Sequence, residues 1–573
     1  MSVAERLAVL TPEQRALFEV LRQKQQKAAR ILKPPPIPRV TGPTGEGDWP
    51  LSLDQERYWF MEQLYPGGAG LNITAATRMR GPLSPPRVER ALAEIVRRHA
   101  AWRTVFPSVD GRPVQRVLSA RPVPVPVIDL GALPADRRED EVHRLVREGT
   151  AAPFDLERGP LLRARLVRLG EGEHLCLLAV HHLVTDWISS HIVWAELAAI
   201  YDALARGERL ALPEPPVQYP DFAVWQRGWL QGEVLDELTS WWRERLAGFP
   251  VDLDLPTDRP RPAQLRMRGG RLPFTIPSEL AGGLRGLARQ EGATLFMLVL
   301  ALTATVLQRD SGQERLILGA NNANRNRPEI EPVIGCFLTQ VPFPLDLGGD
   351  PTFRELLARV RQSALGSYAH QDLPFGQLIQ AIDLPRDPSR QALIQALVQV
   401  LDAQHATAAS AEFASEAVDA WDGRSRYDLM LTVFDHTDHL QGGLEYDADL
   451  FDPATAARRR ERFLLLAAAA VADPDRRLSE LPVLTEAALH QAAAEWNDTT
   501  PAVPAGPSAA TIPGLFAEQA ARAPEAVAVV CGDETLTYAE LDRRAREVAG
   551  RLLRAGVAPE SRIAVPAERS LDL

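Results

Sequence analysis

Two adjacent histidines, three spacer residues and an aspartate, His181-His182-Leu183-Val184-Thr185-Asp186, are the side chains in this sequence best suited to chemistry. An imidazole exchanges protons near neutral pH and can act as a base or orient a nucleophile by hydrogen bonding. An acidic residue beside a helix start caps backbone N–H groups or holds an arginine. In an extended stretch His181 and His182 point to opposite faces, so at most one reaches a given substrate, and the other is expected to be a buried, hydrogen-bonded packing residue. Opposite-facing imidazoles make a poor ligand pair, and no third nitrogen or sulfur ligand is near in sequence, so zinc is not expected.

The flanking elements explain how such a group would be held. Leu175 to Val180 is an uninterrupted apolar run of the length of a buried strand. Beyond the motif, Val193, Leu197, Tyr201 and Leu204 fall on one face of a helix. The histidines therefore stand where a strand leaves the core, a place where a side chain can be rigidly held yet open to a cleft. Elsewhere Leu162, Ala164 and Leu166 alternate with Arg163 and Arg165 as a half-buried strand, Arg271–Ile276 reads as a strand and Leu295–Leu307 as a helix. The mixture supports an α/β class.

Further motifs follow in a fixed order. Ser52-Leu53-Asp54-Gln55-Glu56-Arg57-Tyr58-Trp59 and Arg98-His99-Ala100-Ala101-Trp102-Arg103 precede the histidines. Tyr219-Pro220-Asp221-Phe222-Ala223-Val224-Trp225, Ile334-Gly335-Cys336-Phe337, His370-Gln371-Asp372-Leu373-Pro374-Phe375 and Arg386-Asp387-Pro388-Ser389-Arg390 follow them. Together the seven resemble the condensation domain of nonribosomal peptide synthetases, from about residue 49 to residue 480. Leu536-Thr537-Tyr538-Ala539-Glu540-Leu541 resembles the first core motif of an adenylation domain.

The resemblance implies two chloramphenicol acetyltransferase-like lobes arranged as a V-shaped pseudo-dimer. It implies residues 1–44 as a helical docking and linker segment, 45–215 and 216–485 as the two lobes, 486–512 as a connector and 513–573 as a truncated adenylation start. The implied reaction is amide formation between a carrier-bound donor acyl or peptidyl thioester and the amine of a carrier-bound aminoacyl acceptor, with no acyl-enzyme. No cofactor is expected on the chain itself; the substrates arrive on the phosphopantetheine of partner carrier proteins. His182 is the expected catalytic group, with His181 and Asp186 in the same motif. Asp186 is expected to pair with Arg325 of the second lobe, Arg327 being the neighbour able to replace it. Trp187 and Ser189 are expected to line the substrate passage, with core packing for Trp187 and helix capping for Ser189 as the plainer alternatives. Tyr219, Trp225 and His370 are read as packing residues.

Departures from the pattern matter. Trp187, Ile188 and Ser189 stand where the family has glycine, tryptophan and serine; Thr339, Gln340 and Pro344 replace the usual continuation of the fifth motif, and Gly376 the usual glutamate of the sixth. Leu347-Gly348-Gly349-Asp350 is similar to a carrier attachment site, but Pro351 follows instead of the serine that would bear the arm. Three alternatives to peptide-bond formation follow: a starter-type domain using a fatty or polyketide acyl donor, a non-catalytic docking platform, and, less compatible with the adenylation start, an epimerase.

The 573 residues carry a net charge of −11, which argues against nucleic acid as a partner. Cys176, Cys336 and Cys531 are too few and scattered for a disulfide framework and fit a cytoplasmic protein; no apolar run is long enough for a membrane span. Residues 1–33 read as a helix holding Arg6, Arg15, Arg22, Lys24, Lys27, Arg30 and Lys33 against Glu5, Glu13 and Glu19, seven minus three or +4. Pro34–Pro38 follow as a stiff linker. The basic segment, residues 1–40, is the expected contact for an upstream donor carrier on another polypeptide; the acceptor carrier and adenylation domain are expected downstream in the same synthetase.

Overall fold

Strand alternation builds the first half of the molecule. The computed structural model describes residues 31–42, 45–64, 69–208, 210–385, 387–403, 410–418, 421, 423–499, 511–565 and 571. Its first sheet holds β1 (Asn72–Arg80), β2 (Val127–Asp129), β3 (Leu162–Gly170) and β4 (Glu173–His181). β4 lies between β1 and β3, antiparallel to both, and β2 runs parallel along the outer side of β3. Around it lie α1 (Leu53–Leu64), α2 (Pro85–Arg98), α3 (Ala135–Ala151) and α4 (Trp187–Arg206). Leu175 and Leu177 of β4 join the apolar cluster of Val142, Leu145 and Val146 on α3, whereas Cys176, Leu178 and Val180 join that of α2 and α4. Because both faces are covered, the central strand reads as a continuous apolar run.

The second half comprises α5 (Tyr219–Trp229), β5 (Gly269–Ile276), α6 (Leu295–Ser311), β6 (Arg315–Asn322), β7 (Thr339–Asp346), α7 (Phe353–Ala369), β8 (Ala396–Asp402), β9 (Ala414–Val418), β10 (Leu429–Asp435), β11 (Leu440–Asp447) and α8 (Pro453–Ala472). Six of these strands form one sheet in the order β5-β11-β10-β8-β6-β7. α6 is apolar all round and correspondingly buried. Pro342 and Pro344 are tolerated because β7 is an edge strand. α7 covers that edge, and its Ser367 and Ser363 hydroxyls donate to the two proline carbonyls at 3.0 and 2.6 Å.

Two elements cross from one half to the other. β9 leaves the second half and adds to the first sheet, antiparallel to β1, from Ala414 opposite Arg80 to Val418 opposite Ala76. α5 lies beyond the expected lobe boundary at 215/216 yet is bonded to the first half. The Gln218 side chain before it accepts from Ala100 N at 2.8 Å, and Gln226 accepts from Leu53 N at 2.9 Å. The proline-rich stretch is no free spacer either. Trp225 Nε1 donates to Pro35 O at 2.9 Å, and Asp221 Oδ1 accepts from Val40 N and Thr41 N at 2.7 and 2.8 Å. The predicted helix of residues 1–33 falls almost wholly outside the described residues, as does Arg386.

The chain divides into compact units at Thr485/Glu486. The second contains α9 (Ile512–Arg522), a hairpin of β12 (Val527–Cys531) and β13 (Glu534–Thr537), and α10 (Tyr538–Arg554). α10 begins in a capping box: Thr537 Oγ1 accepts from Glu540 N at 3.3 Å, and Glu540 accepts from Thr537 N at 2.9 Å. Among the described residues no single helix is long and apolar enough to cross a membrane.

The crossing strand is testable at Gly81. Its φ is +146°, and a Cβ there would lie 2.4 Å from the carbonyl oxygen of Glu412, where the chain enters β9. Gly81→Ala is expected to lower stability by about 1–3 kcal/mol and to speed amide exchange across 414–418 relative to β10. Hydrogen–deuterium exchange read by mass spectrometry checks this, and unchanged protection of β9 refutes it.

Candidate active site

The turn that carries the histidines is fixed from both ends. His181 closes β4, and its Nδ1 accepts from Leu183 N at 3.2 Å. Further along, Asp186 caps α4, its Oδ1 accepting from Ser189 N at 2.7 Å. Between them Gln55 of α1 donates its amide to Leu183 O at 3.0 Å. Gln55 is itself locked to Ser52, whose N–H donates to Oε1 at 3.0 Å and whose Oγ accepts from Gln55 N at 3.1 Å. The two imidazoles diverge as the strand geometry requires. His181 packs edge-on to Phe154, with Nε2 3.8 Å from the Glu62 carboxylate. His182 stacks on Tyr58 with ring centres 5.0 Å apart. His181 is sealed at 1% exposure, whereas His182 keeps 6%.

Asp186 is a node rather than a surface charge. Arg325 Nη2 donates to its two oxygens at 3.1 and 3.2 Å, Ser189 Oγ donates at 2.7 Å and Phe337 N at 3.1 Å. Arg325 in turn donates through Nη1 to the carbonyls of Ile330 and Val333 at 2.7 and 2.6 Å, and lies 4.4 Å over the Phe337 ring. The pair is buried; the carboxylate is ringed by donors and both Nη atoms of the guanidinium are bonded, leaving only Arg325 Nε without a hydrogen bond among the described residues, close to the condition under which such a pair is tolerated.

Arg325 and Phe337 bracket a strap, residues 330–337, that the second half lays across the first. Ile334 N donates to His99 Nδ1 at 3.3 Å, Gly335 N donates to Ser189 Oγ at 3.1 Å and Cys336 O accepts from Tyr219 OH at 2.7 Å. Tyr219 OH also meets Ser52 Oγ at 2.8 Å. Gly335 is required here, because a Cβ would fall 2.0 Å from the Tyr219 ring. The strap ends beside the imidazole: Cys336 Sγ lies 3.8 Å from His182 Nδ1. A second buried charge cluster braces α2 against α4. Arg98 grips Glu196 at 2.9 and 3.0 Å, and His99 Nε2 meets the same carboxylate at 3.1 Å.

Burial sets the protonation states. Desolvation, helped by the Arg426 charge, lowers His182 to about 4, so the ring is neutral across the physiological range. The Cys336 thiol is driven well above its ordinary value by burial and the charges of Asp54 and Asp186, and stays protonated. Burial alone would raise Glu196, but its bonds to His99 and Arg98 prevail and hold it at about 2.

One expectation and one alternative need correction. Ser189 does not line a passage: it is fully buried, its hydroxyl committed to Asp186, Arg325 and the strap, and the helix cap is Asp186. Trp187 is not a core residue, because at 42% exposure it sits on the first turn of α4 with its ring edge against His191. Arg327 does not take the place of Arg325; it lies 4.2 Å from the Trp225 ring and 3.8 Å from Asp372. His370 stacks on Trp241 at 3.8 Å. Tyr58, Gln55 and Cys336 have no individual role in the sequence reading. Each belongs to a motif there, and that membership is a signal, but the contact each makes is not in it.

The condensation-domain family matches residues 45–491. The chain belongs to that family. The AMP-binding enzyme family matches residues 516–573, so the condensation domain is followed by the start of an adenylation domain. A linear gramicidin synthase protein from Brevibacillus parabrevis is 42% identical over 92% of this chain, which covers 10% of that protein. Phosphinothricin tripeptide synthetase PhsB from Streptomyces viridochromogenes is 39% identical over 98% of this chain, covering 47% of that protein. The chain thus spans between about a tenth and a half of these curated relatives. Among solved structures, the X-domain from teicoplanin biosynthesis is 29% identical, with a TM-score of 0.71 over 78% of this chain and all of that one. A four-domain nonribosomal peptide synthetase shares the fold at a TM-score of 0.74 and 21% identity, over 89% of this chain and 39% of that one.

The brace at Glu196 gives a pH prediction. A carboxylate held at about 2 when folded and near 4.3 when unfolded stabilises the fold above pH ~4.3, and that stabilisation is lost as pH falls towards 2. The amount is on the order of 2–3 kcal/mol. Melting temperatures from pH 5 to pH 2.5 are expected to fall steeply for the native chain and more shallowly for Glu196→Gln; parallel curves refute the assignment.

Proposed function

We propose that the condensation domain joins two thioester-tethered substrates through an amide bond, the donor carbonyl arriving on one carrier arm and the acceptor amine on another. What carries this reading is the neutral imidazole of His182, clamped between Tyr58 of the first half and Cys336 of the second, and the more exposed of the two motif histidines. The thioester is already activated, so acceleration comes chiefly from holding amine and carbonyl carbon at attack distance. The amine nitrogen attacks the carbonyl carbon, C–N forms, C–S breaks with the electron pair leaving on sulfur, and one nitrogen proton passes to that sulfur to give the thiol. A ring held at about 4 is a weak proton sink at neutral pH. His182 therefore acts as a hydrogen-bond acceptor that orients the amine lone pair, rather than as the group that stores its proton. Asp186 acts through the turn and the strap and is a positioning residue.

The donor carrier meets the basic segment before residue 34, whose +4 charge complements an acidic partner. Three cysteines without disulfides fit a reducing cytosol as the chain's compartment. A second reading has a specific observation behind it. A solved structure 28% identical to this chain, with a TM-score of 0.71, is a complex of the teicoplanin X-domain with OxyB. By that likeness the domain serves as a platform for a partner, and the exposed Trp187 is where its motif departs from the catalytic pattern.

Mass spectrometry on loaded donor and acceptor carriers separates the two. The native chain is expected to give condensed product, and His182→Ala to lower the rate by at least about a hundredfold, the scale of a lost positioning contact. Equal product from both removes His182 from the reaction; no product from the native chain over a broad donor panel selects the platform.

A further inference from the structure

Asp54 is a buried carboxylate that serves neither the strap nor the histidine turn. It lies in the first turn of α1, 4% exposed, and no described residue gives it a hydrogen bond. Asp54 and Tyr58 are four residues apart and share one helix face. Tyr58 stacks on His182, and Gln55, next to Asp54, holds the carbonyl of Leu183. Asp54 also exerts the largest charge effect on the Cys336 thiol, which is 3.8 Å from His182 Nδ1. A carboxylate so placed, with its oxygens left for a guest, suits an incoming cation.

We propose that Asp54 is a second catalytic residue of this site, binding the acceptor substrate as its ammonium ion and taking the proton that frees the amine for attack. The inference rests on the amide-forming reading above. In balance, the carboxylate takes one proton from R–NH₃⁺ and becomes the acid. The freed amine attacks the thioester carbon, C–N forms and C–S breaks. The second nitrogen proton goes to the departing sulfur, giving the thiol, and the Asp54 acid returns its proton to solvent.

The surroundings agree. Burial raises Asp54 to about 7, opposed by the Arg57 guanidinium on its own helix. The other titratable groups around it are Tyr58 on α1, Tyr219 on α5 and Cys336 on the strap. Tyr427, before β10, reaches the same cluster through Arg57 and Tyr58. Burial holds the three tyrosines and the thiol above their ordinary values. Those four are neutral at pH 7, and Arg57 carries a lasting positive charge. An α-amine with a pKa of about 7.7–8 exists at pH 7 as about five to ten ammonium ions for each free amine, so a group that binds the ammonium form and relays its proton gives the site access to the major species.

The test uses the full chain with a loaded donor carrier and two acceptors, a glycyl thioester and its aminooxyacetyl counterpart, whose nitrogen is already unprotonated at neutral pH. For the glycyl acceptor, kcat of the native chain is expected to fall below an inflection near pH 7, below the acceptor amine's own value of about 7.7–8 and above anything His182, lowered to about 4, can supply. Asp54→Asn is expected to lose five- to tenfold at pH 7, to converge with the native chain by about pH 9, and to handle the aminooxy acceptor as the native chain does. Equal slowing on both acceptors at every pH, or no slowing, overturns the proposal. If Asp54→Asn does not fold, the native chain still decides by the position of the inflection: near pH 7 with the glycyl acceptor and absent with the aminooxy one supports Asp54, whereas an inflection at the amine's own value of about 7.7–8 overturns the proposal. No product from the native chain with either acceptor overturns the amide-forming reading instead.

Discussion

The eight residues from Ile330 to Phe337 have no regular secondary structure to satisfy their backbone, and most of them are buried where the second half lies on the first. A buried N–H or C=O without a partner costs free energy comparable to a lost hydrogen bond. The first half answers with side chains: His99 takes Ile334 N, Ser189 takes Gly335 N, and Asp186 takes Phe337 N, while Tyr219 of α5 donates to Cys336 O. The position of the second half, and with it the wall of the site at Cys336, follows from that set of donors and acceptors. Four of the sequence motifs thereby acquire one purpose, since they meet at the same strap.

Charges enter this scheme as anchors for hydrogen bonds. Taking Asp186 and Arg325 out of water is expensive, and their attraction offsets that only when the remaining lone pairs and N–H groups are also occupied. Asp186 accepts from two backbone N–H groups and a hydroxyl besides the guanidinium, and Arg325 reaches three carbonyls. Removal of either partner would leave a buried charge facing dipoles oriented for the other. The triad of Arg98, His99 and Glu196 repeats the arrangement, and His99 links the two by lending its other nitrogen to the strap.

The strands and helices nearest the histidines are legible in the sequence because their periodicity is local. Leu175–Val180 reads as a two-faced strand and Val193, Leu197 and Tyr201 as one helix face without knowledge of anything distant. The contact between Asp186 and Arg325 spans 139 residues and is accessible only through family resemblance. What cannot be read are the places where tertiary contacts override chain order. β9 pairs with β1 although Ala414 and Arg80 are far apart in the chain, α5 sits on the half that precedes it, and Pro35 and Thr41 are tied to α5. Ser189 misleads because a small polar residue beside a motif looks the same whether it faces a passage or a buried strap.

Burial inverts the usual order of basicity at this site. In water an imidazole is a stronger base than a carboxylate by about two to three pK units. Desolvation disfavours whichever form is charged, so it pushes a histidine down and an aspartate up. Here His182 falls to about 4 and Asp54 rises to about 7. The exchange is large enough to reassign roles. The carboxylate becomes the group that titrates near neutrality, and the imidazole stays neutral there. Both effects come from the same enclosure, built by α1, the histidine turn and the strap, whose packing removes both groups from water.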